Sequence, residues 1–180
     1  MNLPAESRLI TQLRELDARL RQARIDYALI GGVAVNIHGH VRATRDLDVM
    51  VLVEDNDALH DQLQALGYEA IDRRDDMSSY VRKLDRLDVI FARRPINRAL
   101  LERSASVEYG GMRLPAIPVE GLIGLKVQAM SDDPRRIDDL ADIIELMRIH
   151  RGSLDLEETR SYFKLFDREK VLDEILRAIG

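Results

Sequence analysis

The sequence predicts a mixed α/β (α+β) fold in which a sheet with flanking helices is followed by a helical region. A short apolar run ends at Gly31-Gly32 and helix-forming residues follow, which indicates a strand, a tight turn and a helix. Further apolar runs of strand length continue as far as Pro118, and only helical signals lie beyond it. We therefore expect an α/β core with an N-terminal helix over residues 1–117 and a C-terminal helical region over 118–180 that packs on the core.

Helix and strand signals alternate through the first part of the chain. Leucines at helical spacing predict an amphipathic helix over 5–23 that packs on the sheet. The apolar run 27–30 predicts a strand, and a helix over 33–37 follows the glycines. The apolar stretch 49–53 predicts a buried strand, and residues 55–66, between an aspartate cap and a glycine stop, predict a helix.

Two hairpins are predicted in the next part of the chain. Strands over 79–84 and 87–91 flank a tight turn at Asp85-Arg86. A short helix over 96–103 leads to a second hairpin over 107–114, whose Gly-Gly pair permits a primed turn. The remaining residues carry helix signals over 119–130, 134–150, 154–166 and 168–179.

The composition is that of a globular protein and excludes several classes of chemistry. The chain has 180 residues, a net charge of −5 and no cysteine, so disulfides, thiolate metal sites and thiol nucleophiles are excluded. No apolar run approaches the roughly 18–20 residues that span a bilayer. The N-terminus lacks the basic start and the apolar middle of a secretory signal. We therefore expect no membrane partner and a cytoplasmic location.

Two aspartates precede the apolar stretch 49–53 at a spacing that suits metal binding. Because residues two apart on a strand share a face, Asp46 and Asp48 are expected to project together while Leu47 enters the core. At an effective dielectric of about 20, unit charges roughly 4 Å apart repel by about 4 kcal/mol, so a cation is expected between the carboxylates. Mg²⁺ is the expected ion, because it prefers oxygen ligands and is commonly held by carboxylates together with substrate phosphates.

A third acid lies in the second strand of the first predicted hairpin. If this strand lies beside the Asp46/Asp48 strand, Asp88 reaches the same edge and completes three carboxylates around two metal positions. Asp85 is the alternative if the hairpin register slips. The predicted catalytic and metal-binding residues are therefore Asp46, Asp48 and Asp88, and Asp88 is also placed to accept the proton of an attacking group.

The Gly31-Gly32 turn is the predicted phosphate-binding element. Glycines let the backbone approach a ligand closely, and exposed amides at a helix start favour an anion. The turn is not a Walker loop, since no Gly-Lys-Ser/Thr follows, and not a dinucleotide fingerprint, since no third glycine has the right spacing. Arg42 and Arg45 are expected either to face a triphosphate or acceptor, or to form salt bridges with the nearby acids.

These motifs together resemble the signature of the DNA polymerase beta-like nucleotidyltransferase superfamily. That signature is a Gly-Gly or Gly-Ser turn, then Asp-x-Asp, then a third Asp, matched here by Gly31-Gly32, Asp46-Leu47-Asp48 and Asp88. The string over 31–48 is similar to small bacterial members, the AbiEii-type toxin and lincosamide-type antibiotic nucleotidyltransferases, and the resemblance covers residues 24–146. It implies a nucleotidyltransferase-type mixed sheet and an enzyme that uses two Mg²⁺ ions to move a nucleoside monophosphate from an NTP, with ATP a candidate, to an acceptor hydroxyl. The acceptor is RNA or tRNA, a protein or a small molecule.

A second part of the resemblance lies in the helical region. Lys126 and the segment 136–143 are similar to a Leu-Lys … Arg-x-Lys-Asp-x-x-Asp-Ile pattern, which implies that Lys126 faces a phosphate. Asp138 stands where that pattern has a lysine, so this chain lacks the phosphate or substrate contact that the lysine would make. Asp139 and Asp142 share a helical face and are expected either to orient Lys126 or to form surface salt bridges.

The acceptor and the biological role are left open between several alternatives. Nine basic residues against six acids between Asp72 and Arg103 flank Asp88, and they either receive tRNA or another RNA or form an ordinary solvated surface. With an RNA acceptor, the enzyme is interpreted as the toxin of a toxin–antitoxin pair with an antitoxin protein as partner. The alternatives are an antibiotic-modifying nucleotidyltransferase and a non-catalytic nucleotide-binding regulatory module.

Overall fold

Residues 5–133 and 135–180 are described in the computed structural model, and the chain forms two compact units. Unit 1 comprises the chain up to Ile37 together with Arg42–Ile117. Unit 2 comprises His38–Val41 and Pro118–Gly180. The strands of the described residues all lie in unit 1, and the regular elements of unit 2 are helices.

Unit 1 is built on a sheet of seven strands. They are β1 (Tyr27–Leu29), β2 (Leu47–Leu52), β3 (Glu69–Arg73), β4 (Met77–Arg82), β5 (Asp85–Ala92), β6 (Ala105–Tyr109) and β7 (Met112–Ala116). Their order across the sheet is β3-β4-β5-β2-β1-β7-β6. The pairs β2–β5 and β1–β7 are parallel, and the other four pairs are antiparallel. The predicted mixed α/β class is confirmed.

The helices of unit 1 bury apolar residues in the same core as the sheet. They are α1 (Ala5–Ala23), α2 (Gly31–Ile37), α3 (Asn56–Ala65) and α4 (Pro95–Glu102), with a 3-10 turn at Val53–Asp55. The predicted leucine stripe of α1 is buried, and Leu13, Leu16 and Leu20 share a core cluster with Leu47 and Leu87 of the sheet. Each buried leucine contributes about 1.5–3 kcal/mol, so this stripe fixes α1 to the sheet.

The turn of the first predicted hairpin lies two residues earlier than predicted. β4 and β5 pair Arg82 with Asp85, so the turn consists of Lys83-Leu84, and Lys83 has a φ of +58°. The prediction of a turn at Asp85-Arg86 was wrong because these residues begin β5. The carboxylate of Asp85 lies 3.0 Å from Nη2 of Arg82, and this ion pair supports the observed register.

β3 carries no strand pattern in its sequence, whereas the second predicted hairpin does. All five residues of β3 are exposed, so apolar alternation is lacking and the strand is defined by its pairing with β4. β6 and β7 are joined by Gly110-Gly111, whose φ values of +58° and +72° suit a primed turn. The second predicted hairpin is therefore confirmed.

Unit 2 contains four helices. They are α5 (Val119–Asp132), α6 (Ile137–Ile149), α7 (Leu156–Leu165) and α8 (Glu169–Ile179). The four helices predicted for this region are present, with ends shifted by a few residues; Pro134, at the predicted start of the second, lies outside the described residues. Across the described ranges, the helices are too short or too polar to cross a membrane.

Candidate functional site

Asp48 and Asp88 lie side by side on neighbouring parallel strands. The register of β2 and β5 pairs Asp48 with Asp88 within the sheet, and both residues are partly buried. Neighbouring strands lie about 4.8 Å apart, and paired residues present their side chains to the same face. The fold therefore brings together two acids that are distant in the sequence.

Gly31 places the chain directly against the carboxylate of Asp48. The backbone N–H of Ile30 donates to the carbonyl oxygen of Asp48 at 3.1 Å, which holds the end of β1 beside β2. Gly31 follows with a φ of +60°, and a Cβ on it would collide with the Asp48 carboxylate. A side chain at this position is therefore excluded by the backbone conformation and by the acid together.

Gly32 packs closely against the segment that precedes β2, as Gly31 packs against Asp48. A Cβ on Gly32 would collide with Oγ1 of Thr44 and would lie 3.6 Å from Nη2 of Arg42. The backbone N–H of Arg42 donates to Oδ1 of Asn36 at 2.9 Å, which ties this segment to α2. Arg42 therefore lies beside the glycine turn, while Arg45 is exposed and its role stays a prediction.

Both carboxylate oxygens of Asp88 have partners. The hydroxyl of Ser79 on β4 donates to Oδ1 at 2.5 Å, and Nε of Arg86 lies 3.1 Å from Oδ2. Ser79 is buried and is the cross-strand partner of Asp88 in the β4–β5 pair. Because Ser79 is held on the neighbouring strand, its hydroxyl fixes the orientation of the carboxylate.

Arg86 is a cation that contacts this acidic site. The hydrogen bond to Asp88, reinforced by the charges of Asp88, Asp46 and Asp48, raises the pKa of Arg86 above its ordinary value. The backbone carbonyl of Arg86 accepts a hydrogen bond from Nε2 of Gln12 on α1 at 3.1 Å. The strand position of Arg86 is thus fixed, while 48% of its side chain is exposed.

Asp46 differs from the other two acids in being exposed, because it precedes β2. Within residues 5–133 and 135–180, no three His, Cys, Asp or Glu side chains are grouped as a metal site. Mg²⁺ is nevertheless commonly bound by one or two carboxylates together with substrate phosphates. Asp48 and Asp88 fit that donor set, since they are hard oxygen ligands at adjacent strand positions and Asp48 packs on the glycine turn.

Asp85, the alternative third acid, lies outside this group. Its Oδ1 is 2.6 Å from Nε of Arg8, and its Oδ2 is 3.0 Å from Nη2 of Arg82. These ion pairs join the start of β5 to α1 and β4. Asp88, and not Asp85, is therefore the acid that the sheet places beside Asp48.

Lys126 forms a buried ion cluster within unit 2. Its Nζ lies 2.8 Å from Oδ1 of Asp139 and 2.7 Å from Oδ2 of Asp142, and these side chains are at most 8% exposed. Arg136 lies 2.6 Å from Asp139, and Nε2 of His40 lies 3.5 Å from Asp142. The two acids thus orient Lys126, one of the two roles predicted for them, and the phosphate-binding role of Lys126 stays a prediction.

Most of the basic residues between Asp72 and Arg103 are ion-paired. At least six of the nine have a carboxylate partner: Arg73 with Asp57, Arg74 with Asp72, Arg82 with Glu15 and Asp85, Arg86 with Asp88, Arg93 with Asp75, and Arg98 with Glu54. A cation that is neutralised locally attracts a polyanion less than an unpaired basic stripe does. The geometry therefore favours the interpretation of this segment as an ordinary solvated surface.

Ser79 and Arg86 were not predicted as site residues. Ser79 lies opposite Asp88 in the β4–β5 register, and Arg86 precedes Asp88 by two residues and so shares its face of β5. Because the predicted turn at Asp85-Arg86 placed Arg86 outside the strand, the sequence did not predict that Arg86 and Asp88 share a face. With a strand that begins at Asp85, Arg86 lies on the face of Asp88 and Ser79 pairs with Asp88, so the correct start of β5 would have identified both residues.

A family model matches more than half of the chain. The model of the aminoglycoside-2''-adenylyltransferase family aligns with residues 12–107 of the 180. This range contains the glycine turn and the three aspartates of the candidate site. No curated protein matches the chain.

Solved structures of adenylyltransferases share the fold. The solution structure of the antibiotic-resistance factor ANT(2'')-Ia is similar with a TM-score of 0.71 at 17% identity, over 97% of this chain and 99% of that chain. The crystal structure of ANT(2'')-Ia in complex with adenylyl-2''-tobramycin gives 0.68 at 16% identity, over 90% and 98%. The lincomycin-bound lincosamide antibiotic adenylyltransferase LnuA gives 0.57 at 16% identity, over 77% and 96%. The comparisons support the predicted nucleotidyltransferase superfamily, whereas the AbiEii-type toxin group, an RNA acceptor and an antitoxin receive no support from them.

Proposed function

Because the chain belongs to the aminoglycoside-2''-adenylyltransferase family and is a nucleotidyltransferase, we propose that it transfers AMP from ATP to a hydroxyl group of a small aminoglycoside-like molecule. The observation that carries this proposal is the pairing of Asp48 with Asp88 beside Gly31, which supplies two carboxylates at a turn fitted for close backbone approach. This function is the antibiotic-modifying alternative predicted from the sequence.

The charge distribution supports a small cationic acceptor over a nucleic acid. The chain has a net charge of −5, and the basic residues that flank Asp88 are largely paired with carboxylates. An aminoglycoside carries several protonated amines at neutral pH, so an acidic protein attracts it, whereas a polyanionic RNA is repelled. The charge distribution therefore favours a small cationic acceptor over the predicted tRNA.

Different residues of unit 1 would bind the metal ion and the phosphates of ATP. Asp48 and Asp88 would hold Mg²⁺ together with the phosphates, and the exposed Asp46 would add a ligand for a second ion. When bound, the metal neutralises charge that develops at phosphorus during the displacement. Gly31-Gly32 lets the triphosphate approach the backbone beside Asp48, and Arg42 provides a cation at this turn, with Arg45 available from the exposed segment.

The proposed reaction forms one bond and breaks one at the α-phosphorus of ATP. The acceptor hydroxyl oxygen attacks the phosphorus, the bond to the oxygen that bridges the α- and β-phosphates breaks, and pyrophosphate leaves. The hydroxyl proton passes to a carboxylate oxygen of Asp88, whose orientation is fixed by the 2.5 Å hydrogen bond from Ser79.

Incorporation of labelled nucleotide tests the proposal. The protein is incubated with Mg²⁺ and each α-labelled NTP, with tobramycin, lincomycin or total bacterial RNA as the acceptor, and the products are separated by chromatography and identified by mass. We expect AMP from ATP to appear on tobramycin. The label should be lost in Asp48→Asn and Asp88→Asn and retained in Asp61→Asn, which removes an exposed carboxylate on α3.

The same assay separates the alternatives. Label on RNA alone would contradict the proposal and favour the toxin interpretation. Mg²⁺-dependent binding of ATP without transfer to any acceptor would favour the nucleotide-binding regulatory module.

A further inference from the structure

Arg86 is bound to a carboxylate that the proposed metal site requires. Nε of Arg86 lies 3.1 Å from Oδ2 of Asp88, and Oδ1 of the same carboxylate accepts the hydrogen bond from Ser79. Asp48 is the neighbouring carboxylate in the parallel register. A cation that enters between Asp48 and Asp88 therefore meets a guanidinium that is already hydrogen-bonded to one of its ligands.

The two partners of Asp88 differ in their ability to move. Ser79 is 4% exposed, and its neutral hydroxyl bonded to Oδ1 is compatible with a cation at Oδ2. Arg86 is half-exposed, and its long side chain can turn toward solvent while the strand stays fixed through Gln12. Because two positive charges repel, the guanidinium and a divalent cation compete for the carboxylate of Asp88.

We propose that Arg86 is a built-in counter-ion that occupies Asp88 while no divalent cation is bound and moves onto the triphosphate when the cation arrives with ATP. This inference rests on the proposed function, because it assumes that Asp48 and Asp88 hold the cation together with ATP. Its consequence is that the free cation binds weakly and that cation and nucleotide load together. The triphosphate provides the displaced guanidinium with a new anionic partner, and arginine suits phosphate oxygens as well as carboxylates.

Two further observations agree with this role. The guanidinium of Arg86 contacts Asp88 directly and carries its charge throughout the working pH range, because arginine is not deprotonated in proteins. In the part of the chain that the structure describes, no three-ligand metal group is preformed. A site with two adjacent carboxylates and a resident cation is expected to bind a free divalent ion poorly until phosphates are added.

Binding of Mn²⁺, measured from the electron paramagnetic resonance signal of the free ion, tests the proposal. Titrations are made without and with a non-hydrolysable ATP analogue, on the wild-type chain, Arg86→Gln and Arg86→Lys. The control is Arg93→Gln, which removes the same charge just beyond the far end of β5, from a side chain that is 61% exposed.

The proposal predicts effects of opposite sign for the two titrations. Arg86→Gln should bind Mn²⁺ alone about tenfold more tightly and the Mn²⁺–analogue pair about tenfold more weakly than the wild type. Arg86→Lys keeps the charge and should, like the wild type, bind Mn²⁺ more weakly alone than together with the analogue. Arg93→Gln should match the wild type in both affinities. Added Mn²⁺ should also raise the Tm of Arg86→Gln more than that of the wild type, an effect that a purely structural arginine would not produce.

Two outcomes overturn the inference, and they are distinguishable. If Arg86→Gln binds Mn²⁺ alone no more tightly than the wild type, while Asp48→Asn abolishes binding of the Mn²⁺–analogue pair, the counter-ion role is wrong and the proposed function stands. If the wild type does not bind the Mn²⁺–analogue pair, both are wrong. Should Arg86→Gln not fold, Arg86→Met, which keeps an unbranched apolar stem, is used in its place with the same expectations.

Discussion

The carboxylate of Asp48 occupies the space in which a side chain of residue 31 would begin. Gly31 has a φ of +60°, and a Cβ on it would collide with that carboxylate. The acid can therefore keep its place beside Asp88 only while residue 31 is glycine. This relation makes Gly31 a direct probe of the site, because Gly111 also has a positive φ but has no atom within 4 Å of the position of a Cβ.

Replacement of Gly31 by alanine should lower the free energy of unfolding by more than backbone strain alone would. Gly111 has a φ of +72°, and nothing lies within 4 Å of a Cβ there, so Gly111→Ala reports the strain, about 1 kcal/mol. We expect Gly31→Ala to lower the free energy of unfolding by about 2–4 kcal/mol and the affinity for ATP with Mg²⁺ by about tenfold or more, since Asp48 must move. Urea unfolding and calorimetric titration measure both, and equal effects of the two variants would contradict the argument.

Removal of the Ser79 hydroxyl should slow the reaction more than it weakens binding. The hydroxyl of this buried residue orients Asp88, and loss of a side chain that orients a metal ligand typically costs about 10–100-fold in activity. We expect Ser79→Ala to lower kcat by about tenfold while KM for ATP changes by less than about twofold. The control is Ser78→Ala, which removes a neighbouring buried hydroxyl that points to the other face of β4. A kcat for Ser79→Ala equal to that of the control would show that the hydrogen bond does not matter for turnover.

The central feature of the site could be predicted because it depends on apolar patterns. The strand after Asp48 and the strand around Asp88 are both apolar runs, and their adjacency is enough to bring the acids together. The partners of Asp88 could not be predicted in the same way. The positions of Ser79 and Arg86 relative to Asp88 are set by the hairpin register. The predicted turn lies two residues too late, because Lys83-Leu84 contains no glycine or asparagine to mark the true turn.

Elements without an apolar face were beyond sequence reasoning. Every residue of β3 is exposed, and backbone pairing with β4 defines it. Lys126 is a different case, because a lysine in an apolar helix is equally consistent with a ligand contact, a surface position or an internal ion pair. Its partners come from α6, so the choice is made by the packing of two helices and not by local sequence.

Loss of Lys126 should destabilise the fold. Lys126→Met leaves Asp139 and Asp142 buried, with Arg136 beside Asp139 and His40 beside Asp142. Removing one member of a buried ion cluster leaves the opposite charges buried without full compensation. We therefore expect the free energy of unfolding to fall by about 2–4 kcal/mol.

Lys164→Met is the control for this change, because Lys164 is an exposed lysine of α7 in the same unit, and its replacement should cost less than about 0.5 kcal/mol. Urea unfolding measures both variants. An unchanged stability for Lys126→Met together with reduced ATP affinity would instead assign Lys126 to the phosphate contact predicted from the sequence.

Buried tyrosines should make the fold sensitive to alkali. Burial, together with the 2.7 Å hydrogen bond that the Tyr27 hydroxyl donates to Asp17, raises the pKa of Tyr27 above its ordinary value, and burial also raises the pKa of Tyr68 and of Tyr80. The unfolded chain ionises these groups near pH 10 and the folded chain ionises them only at higher pH, so the stabilisation is complete well below pH 10 and is lost as pH rises further. At pH 10.5 the loss for Tyr27, which is still neutral in the folded chain, is about 0.8 kcal/mol. Tyr27→Phe should therefore be less stable than the wild type at pH 7 by about 1 kcal/mol but lose less on going to pH 10.5, and urea midpoints at the two pH values that fall by the same amount in both proteins would refute this assignment.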